Sequence, residues 1–425
     1  MSEYHINGGV PLNGTIKVSG NKNAALPCIA AAILTDQPVT LRNIPDIEDV
    51  RVTLEIFSAL GGEVESLEPN VIKLRLRDIK TPEIPDAQAK KIRASILFAG
   101  PLLARTGKVI LPPPGGDVIG RRRLDTHFLA FTELGAKVKV SENFTFTAKS
   151  LCGADIFLDE ASVTATENAV MAAVLAKGKT ILTNAASEPH VQDLCRMLTE
   201  MGARVEGIGS NILTITGVEK LSGCDFAIGP DYMEAGSFIG LAAVMGGDIH
   251  IEGAREADLR PVKISFSKMG ILWAHEGNIV HVPKNQSMEV NHDLGGMIPK
   301  IDDAPWPGFP PDLVSIALVV ATQIKGTVLI HEKMYESRMF FVDKLIAMGA
   351  RIVLCDPHRA VVSGPAKLQG SELISPDVRA GMALLIAALR AEGKSVIRNV
   401  YQIERGYERL VDRLSSLGAR IERLG

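Results

Sequence analysis

The chain has 425 residues, of which 46% are hydrophobic and 22% charged, and its formal net charge is -3. A chain of this length is expected to form two to four domains, each with a sizeable core. The small net charge excludes a general electrostatic attraction to nucleic acid or to an acidic membrane. The longest apolar run, at 24–34, contains a proline and is too short to span a bilayer.

The N-terminus and the cysteines indicate a cytoplasmic protein. The first stretch, MSEYHINGGVPLNG, has no apolar core of the kind found in secretory signals. The five cysteines are odd in number and none belongs to a CxxC pair, so we expect neither a disulfide framework nor a zinc site. The nine histidines show no ligand spacing either. We therefore expect no metal and no other cofactor.

Two linked signals recur six times along the chain. A helical pattern ending in Leu or Met is followed by a glycine and a short strand, and these glycines are spaced 74, 67, 68, 79 and 69 residues apart: Gly61, Gly135, Gly202, Gly270, Gly349 and Gly418. Upstream of each copy lies a helix of small residues, a turn and an apolar strand, as in PLLARTGKVIL and AAVLAKGKTIL. Each repeat of about seventy residues is therefore predicted to read helix, strand, helix, strand.

The third copy illustrates the pattern. Val191, Leu194, Leu198 and Met201 fall at i, i+3, i+7 and i+10, which is one face of a helix. Gly202 then suits the left-handed conformation that commonly ends a helix. The runs TVLI and SVIR are β-branched and of strand length. A single copy cannot bury its own apolar faces, so the copies must pack on one another.

Four motifs accompany the repeats: SGNKNAALP at 19–27, RAS at 93–95, PPPGGDVIGRRRLDTH at 112–127 and YQIERGYER at 401–409. Together with the six copies, they resemble the enolpyruvyl transferases. The resemblance implies an α/β fold of two domains, each an inside-out α/β barrel of three repeats with helices inside and sheets outside. It places the first domain at 21–229, with a mobile loop at 112–123, and the second at 1–20 plus 230–425.

The resemblance also implies an activity. The enolpyruvyl group of phosphoenolpyruvate would be transferred to the 3′-hydroxyl of UDP-N-acetylglucosamine by addition and elimination, with release of phosphate, in the first committed step of peptidoglycan synthesis. The branch of the family that acts on shikimate 3-phosphate usually carries Lys-Ser near its start, whereas this chain carries Lys22-Asn23, which favours the UDP-sugar branch. A related transferase with another nucleotide or nucleotide-sugar acceptor is the alternative.

A non-catalytic ring, similar to the DNA sliding clamps, is a third interpretation of six α/β repeats. A clamp needs basic residues spread over its helices to follow the phosphate backbone. In this chain the cations of interest are concentrated in a few loops. The expected partners are therefore small-molecule substrates, with no nucleic acid and no membrane.

Phosphoenolpyruvate carries a carboxylate and a phosphate, and planar guanidinium groups pair with either anion through two parallel hydrogen bonds. By resemblance, the cations that bind it are Lys22, Arg122 and Arg405, with Arg93 and Arg379 nearby. Because these residues belong to distant repeats, we expect them to converge only when the domains close, together with the loop rich in Pro and Gly. For Arg121 and Arg123, an exposed basic turn beside the contacting Arg122 is the alternative.

Two carboxylates are candidates for proton transfer. Asp312, in PGFPPDLVS, matches the family's base for the acceptor hydroxyl, although an aspartate ahead of LVSIALVVA also predicts a helix N-cap. Asp117 stands where most of the family carries cysteine and a minority aspartate. As a general acid it must hold a proton near neutral pH, which bound phosphate and carboxylate favour and neighbouring arginines oppose. A carboxyl here implies insensitivity to fosfomycin, which alkylates the cysteine.

Further positions match the family's substrate-binding residues. They are Asn23, Arg93, Arg123, Leu124, Asp125, His127, Ser162, Val163, Asp312, Met334, Arg338 and Arg379. Two departures leave the choice of acceptor open. Thr164 replaces a usual glycine and restricts the approach of a phosphate to the backbone, and Ser337 replaces a usual asparagine.

Three further acidic residues match family positions. Glu188 matches a polar position beside the sugar. Asp49 and Asp231 match carboxylates near the hinge between domains, and a local structural role is the alternative for each.

Overall fold

The structure, a computed structural model, describes residues 2–117, 119–120 and 122–425. It divides into two compact units, unit A with Gly20–Asp117 and Arg122–Gly229, and unit B with Met1–Ser19, Val118–Arg121 and Pro230–Gly425. This division differs from the predicted domain bounds at residue 20. It also assigns 118–121, part of the predicted mobile loop of the first domain, to unit B.

The helices of the two units are given in chain order. They are α1 (Lys22–Ala31), α2 (Glu48–Ala59), α3 (Asp86–Ala89), α4 (Ala99–Thr106), α5 (Asp125–Glu133), α6 (Val163–Ala173), α7 (Pro189–Glu200), α8 (Tyr232–Met245), α9 (Glu256–Ser267), α10 (Val314–Ala321), α11 (Val342–Ala347), α12 (Val378–Arg390), α13 (Tyr401–Glu404) and α14 (Leu410–Ser416). Short 3₁₀ helices are Ala32–Leu34, Arg93–Phe98, Leu294–Gly296 and Pro311–Leu313.

The strands follow the same order. They are β1 (Glu3–Asn7), β2 (Gly14–Lys17), β3 (Val39–Arg42), β4 (Glu63–Glu68), β5 (Val71–Arg75), β6 (Lys108–Leu111), β7 (Lys137–Val140), β8 (Phe144–Thr147), β9 (Asp155–Phe157), β10 (Lys179–Thr183), β11 (Arg204–Glu206), β12 (Ile212–Thr216), β13 (Asp225–Ala227), β14 (Ile249–Glu252), β15 (Ala274–Glu276), β16 (Ile279–Val282), β17 (Lys300–Asp302), β18 (Gly326–His331), β19 (Arg351–Asp356), β20 (Arg359–Gly364), β21 (Glu372–Ile374), β22 (Lys394–Arg398) and β23 (Arg420–Leu424).

Each of the six repeats contributes to its own small sheet within the described chain. Unit A has the orders β13-β3-β5-β4, β6-β8-β7 and β11-β12-β10-β9, and unit B has β15-β16-β14-β2, β17-β18-β20-β19 and β21-β22-β1-β23. In the first repeat β4 and β5 form an antiparallel hairpin that pairs with β3. The predicted repeat of helix, strand, helix, strand therefore lacks the second hairpin strand in five copies, and it also lacks the short parallel edge strands β9, β13, β17 and β21.

The turns of these hairpins explain the missed strands. The second strand begins only a few residues after the first, behind an Asn-containing turn such as EPN at 68–70 or GSN at 209–211. Asn70 has a φ of 61°, which asparagine tolerates better than most residues. Asparagine directly ahead of a strand-forming run, such as VIKLR or ILTIT, was thus a readable hairpin signal.

The N-terminal segment completes two sheets of unit B. Strand β1 lies between β22 and β23 and is antiparallel to both. Strand β2 adds to β14 in parallel. In unit A, β13 closes the first sheet by pairing in parallel with β3. Strands remote in sequence therefore finish the sheets of both units.

In each unit the helices are inside and the sheets outside, which confirms the predicted α/β fold class. Every residue of α8 and of α10 is buried, and α8, α10 and α12 pack against one another. Glycines permit this approach: a Cβ at Gly236 would lie 2.6 Å from a methyl of Leu313, and one at Gly240 would lie 2.8 Å from a methyl of Ile316. No helix of the described chain is long and apolar enough to cross a membrane.

The glycines that mark the repeats adopt the expected conformation. Their φ angles are all positive, from 71° at Gly270 to 108° at Gly61. At Gly202 a Cβ would meet nothing within 4 Å, so the backbone angle and not the available space calls for glycine. The predicted apolar face of α7, which includes Leu194 and Leu198, is buried. The helical pattern of the third copy is confirmed.

Candidate active site

Asp312 of unit B lies in the 3₁₀ turn Pro311–Leu313, just ahead of α10. The predicted N-cap role is wrong, because Leu313 occupies that position of α10. The carboxylate instead pairs with two arginines. Its Oδ1 accepts from Nη2 of Arg338 and its Oδ2 from Nε of Arg379, each over 2.9 Å. The two guanidinium groups are buried and the carboxylate is 24% exposed, so it can meet a ligand.

Arg379 is held at the start of α12. Asp377 caps this helix by accepting the N–H groups of Arg379 and Ala380. Burial opposes the charged guanidinium, but Tyr407 and Asp312 outweigh it and raise the pKa of Arg379 well above its usual value. Its buried Nη1 has no hydrogen-bond partner among the described residues. A buried guanidinium with an unused donor suits an anionic ligand.

Arg338 is held by the segment that precedes it. Its guanidinium lies 5.0 Å from the centre of the Tyr335 ring, and its Nε is 3.6 Å from Oε2 of Glu332. Glu332 is fully buried, and its Oε1 accepts the N–H groups of Met334 and Tyr335. The predicted substrate-binding residues Met334 and Arg338 are thus positioned by one buried carboxyl.

Glu332 has a second buried carboxyl beside it. Asp303 is also fully buried, and Oδ2 of Asp303 and Oε2 of Glu332 both lack a hydrogen-bond donor within the described chain. Burial raises the pKa of Glu332 to about 9; Arg338 lowers it and Asp303 raises it further. Near neutral pH Glu332 therefore keeps its proton. The sequence analysis missed both residues.

Arg405 and the loop residues of unit B complete its part of the site. Arg405 follows α13 and is buried, with Nη1 donating to Oε1 of Gln402 over 2.8 Å. The backbone N–H of Ser337 donates to the carbonyl of Ile119, so the exchange of asparagine for serine leaves this contact unchanged. A Cβ at Gly120 would lie 2.2 Å from Oε2 of Glu336.

Asp231 has a local structural role, which was the alternative given in the sequence analysis. Its Oδ1 accepts the N–H groups of Met233 and Glu234, which caps α8. In unit A, Asp49 also has a local partner, through an ion pair. Nζ of Lys22 lies 3.2 Å from Oδ2 of Asp49, and both side chains are largely buried. Asn23 follows Lys22 in the first turn of α1, and its N–H donates to the capping side chain of Asn21.

The loop of unit A lies against the segment that carries Arg93. The N–H of Gly115 donates to the carbonyl of Ala89, and a Cβ at Gly115 would lie 1.7 Å from the carbonyl oxygen of Lys90. A Cβ at Gly116 would lie 2.9 Å from that of Arg93. The two glycines therefore allow a backbone approach that no other residue permits. Asp117 follows directly and is half-buried.

The chain after the loop is held by Arg93. Its Nη2 donates to the carbonyls of Arg122 and Arg123. Arg123 is exposed and pairs with Asp125 at 3.1 Å and Asp159 at 3.5 Å. The expectation for Arg121 falls outside the described residues. Arg93 thus serves the backbone of the predicted binding segment.

The remaining predicted residues of unit A meet around His127. Leu124 precedes α5, whose third residue is His127. Ser162 caps α6 by accepting the N–H of Ala165. Nε2 of His127 lies 3.1 Å from Oγ1 of Thr164, and Nδ1 lies 3.0 Å from Nδ2 of Asn168. Asn168, which sequence reasoning missed, has no motif of its own.

Buried acids lie behind this group. Glu188 occupies the N-cap position of α7, and Val163 opens α6. Glu167 is buried in α6, and burial together with the charge of Glu188 raises its pKa well above the usual value. The predicted sugar-binding position Glu188 therefore neighbours a buried carboxyl whose ionisation is disfavoured.

One cluster of possible metal ligands was missed by the sequence analysis. Pairing of β14 with β16 places His250 directly opposite His281, and with Asp248 their donor atoms lie within 4.8 Å of one another. The two imidazole rings stack 4.4 Å apart with planes 5° apart, so their in-plane lone pairs do not converge on one point. Asp248 already pairs with Nε2 of His281 at 3.1 Å. The arrangement fits a hydrogen-bonded cluster better than a metal centre.

Comparisons with known proteins identify the family. The family model for EPSP synthase (3-phosphoshikimate 1-carboxyvinyltransferase) matches residues 6–414. A UDP-N-acetylglucosamine 1-carboxyvinyltransferase of Treponema denticola is 70% identical over 422 residues, 99% of either chain, and that of Treponema pallidum is 63% identical over all of both chains. The solved enolpyruvyl transferase NikO from Streptomyces tendae has a TM-score of 0.89 at 25% identity, covering 99% of this chain and 98% of its own. An EPSP synthase from Acinetobacter baumannii has a TM-score of 0.76 at 18% identity, over the whole of both chains. The chain therefore belongs to the EPSP synthase family, the enolpyruvyl transferases.

Proposed function

We propose that the protein transfers the enolpyruvyl group of phosphoenolpyruvate to the 3′-hydroxyl of UDP-N-acetylglucosamine and releases phosphate, as the first committed step of peptidoglycan synthesis. Its full-length relatives at 63% and 70% identity are named for this transfer. The observation that carries the proposal is the partly exposed carboxylate of Asp312 between two buried guanidinium groups, one with an unused N–H. A proton acceptor beside an anion site is what this reaction requires.

Asp312 takes the role of base. In the addition step the 3′-oxygen attacks C2 of phosphoenolpyruvate, the hydroxyl proton passes to Asp312, and C3 gains a proton. The two 2.9 Å ion pairs stabilise the ionised carboxylate and fix its direction, because each oxygen is bound by a different arginine. Arg338 and Arg379 thereby orient the base, and the unused Nη1 of Arg379 is left for a substrate anion.

Asp117 takes the role of acid at C3. In the elimination step the C2–O bond to phosphate breaks, C3 loses a proton, and the double bond is restored. A carboxyl that gives and then regains the C3 proton satisfies both steps. Lys22, Arg122 and Arg405 are assigned to the phosphate and carboxylate of phosphoenolpyruvate, whose charge they balance.

Residues of each unit are assigned to the acceptor, the nucleotide sugar. Asn23, Arg123, Leu124, Asp125 and His127 are assigned to it in unit A, with Ser162 and Val163 at the start of α6. Met334 and Arg338 are assigned to it in unit B. The ordered hydrogen bonds around His127 and the buried support of Met334 favour this assignment, since both sets of side chains are held in one orientation.

We also infer a cytoplasmic location. All five cysteines are free, and Cys152 and Cys355 are exposed. Exposed thiols that remain unpaired suit a reducing compartment.

A panel of acceptors tests the proposed function. The purified protein is incubated with phosphoenolpyruvate and, in separate reactions, UDP-N-acetylglucosamine, UDP-glucose, UDP-N-acetylgalactosamine and shikimate 3-phosphate, and phosphate release is measured. We expect release with UDP-N-acetylglucosamine to exceed that with each other acceptor. Preferred turnover of shikimate 3-phosphate or another UDP-sugar would contradict the assignment.

A further inference from the structure

A series of hydrogen bonds within unit A ends at the hydroxyl of Thr164. It starts at the backbone of Gly100 and runs through the buried side chains of Asn168 and His127. The links measure 2.8 Å from Gly100 N to Asn168 Oδ1, 3.0 Å from Asn168 Nδ2 to His127 Nδ1, and 3.1 Å from His127 Nε2 to Thr164 Oγ1. Chemistry determines which atom donates at each link.

The backbone orients the amide of Asn168. The N–H of Gly100 can only donate, so the amide oxygen must face it. The carbonyl of Ile96 can only accept, and it lies 2.9 Å from Nδ2. Gly100 is the second residue of α4, and a Cβ there would lie 2.8 Å from Oδ1, so the absence of a side chain lets the amide approach the backbone. Asn168 therefore presents an N–H, and not an oxygen, to His127.

Asn168 in turn determines the tautomer of His127. Nδ1 must accept a hydrogen bond, so it carries no proton. Burial, together with the charge of Arg93, lowers the pKa of His127 to about 3, and the ring is neutral near pH 7. Its one proton is on Nε2 and is donated to Oγ1 of Thr164. The hydroxyl proton of Thr164 then points away from the ring, and no other described residue accepts it.

We propose that the Thr164 hydroxyl donates this proton to a phosphate oxygen of the acceptor substrate, and that Asn168 and His127 are positioning residues that act through it. The inference rests on the proposed function, since the diphosphate is the anion of UDP-N-acetylglucosamine. Thr164 stands in the first turn of α6, where the helix dipole also favours an anion. Thr164, which replaces the family's usual glycine, thus supplies a hydrogen-bond donor to the phosphate. Without that bond, its side chain would only restrict the approach of the phosphate to the backbone.

Binding measurements test the donor. Titration calorimetry with UDP-N-acetylglucosamine, without phosphoenolpyruvate, compares Thr164→Val, which keeps the shape, with Thr164→Ser, which keeps the hydroxyl. We expect at least tenfold weaker binding for the valine variant and less than a twofold change for the serine variant. Thr132→Val, at an exposed threonine of α5, is the matched control and should bind normally.

Kinetic measurements show which substrate carries the phosphate group that Thr164 contacts. In turnover assays Thr164→Val should raise KM for UDP-N-acetylglucosamine and leave KM for phosphoenolpyruvate unchanged. A rise in KM for phosphoenolpyruvate alone would overturn the proposal. Equal affinity of the valine variant and the wild type for UDP-N-acetylglucosamine would overturn it as well. Failure of the proposed function would appear differently, as absence of phosphate release by the wild type itself.

Nuclear magnetic resonance tests the positioning residues. A long-range ¹H–¹⁵N spectrum of the wild type should show His127 neutral, with Nε2 protonated and Nδ1 bare, from about pH 5 to 8. With the opposite tautomer, Nε2 would accept the hydroxyl proton of Thr164, and none would be left for the phosphate. A proton on Nδ1, or titration of the ring within that pH range, would refute the positioning role of Asn168 and His127.

Discussion

Units A and B share one architecture but hold their polar residues in different ways. In unit B, Asp312 is bound by two buried guanidinium groups that are themselves supported by Asp377 and Glu332. In unit A, Arg93 binds backbone carbonyls and the loop before Asp117 depends on close backbone approach at Gly115. The same repeat thus supports a centre built from ion pairs and one built from main-chain contacts. Substitutions should therefore affect stability differently in the two units.

The largest effect is expected for Asp312→Asn. The variant cannot accept a proton, and loss of general base catalysis typically lowers turnover by about 10²- to 10⁴-fold. It also removes the charge that the buried Arg338 and Arg379 share as an ion-pair partner, so the melting temperature should fall as well. Phosphate release and thermal unfolding measure the two effects. Asp302→Asn, at a carboxylate paired with Lys300 and Lys333, is the control for an ordinary ion pair and should retain activity.

Arg122→Ala should separate activity from stability in unit A. Loss of one partner from a desolvated charge cluster typically costs about 2–5 kcal/mol, or a factor of roughly 30 to several thousand in turnover. Because the side chain is half-exposed, its removal should hardly change the melting temperature. Lys90→Ala, at an exposed lysine paired with Asp86, is the matched control and should remain active. A melting temperature as low as that of Asp312→Asn would remove the contrast between the units.

Asp117 provides a chemical test of the loop. A carboxyl is a far weaker nucleophile towards an epoxide than a thiolate, so the wild type should turn over in fosfomycin and keep its intact mass. Asp117→Cys should stay active and become sensitive to time-dependent inactivation with a stoichiometric adduct. Asp117→Asn, which cannot donate as an acid, should be nearly inactive. An adduct on the wild type, or full activity of the asparagine variant, would remove Asp117 from the catalytic role.

The smallest effect concerns the buried carboxyl pair of unit B. The pKa of Glu332 is raised from 4.5 to about 9, so between these pH values the folded state keeps a proton that the unfolded state has released. This contribution to the free energy of unfolding therefore decreases as pH rises through that window. Glu332→Gln should flatten the decline, and Glu256→Gln, at an exposed residue of α9, should not. Identical pH profiles for wild type and Glu332→Gln would show that Glu332 does not keep this proton in the folded state.

The sequence by itself determined the local features. The spacing of Leu194 and Leu198 along α7 and the left-handed glycines such as Gly202 depend on neighbours within one or two turns, so a linear pattern reveals them. The cations and Asp312 were found because motifs mark them. The hairpins were missed because a short turn separates two strands that look like one extended run.

The tertiary structure decided which groups meet. Strand β1 finds its partners at the far end of the chain, and Asp312 finds Arg338 and Arg379 on two different later segments. His127, Asn168 and Thr164 come together only because α5 packs on α6. Such contacts depend on the register between packed elements, and a shift of one residue in either would separate the donor from its acceptor. Hydrogen-bond direction, and with it the chemistry of the Thr164 hydroxyl, therefore follows from packing and not from any motif.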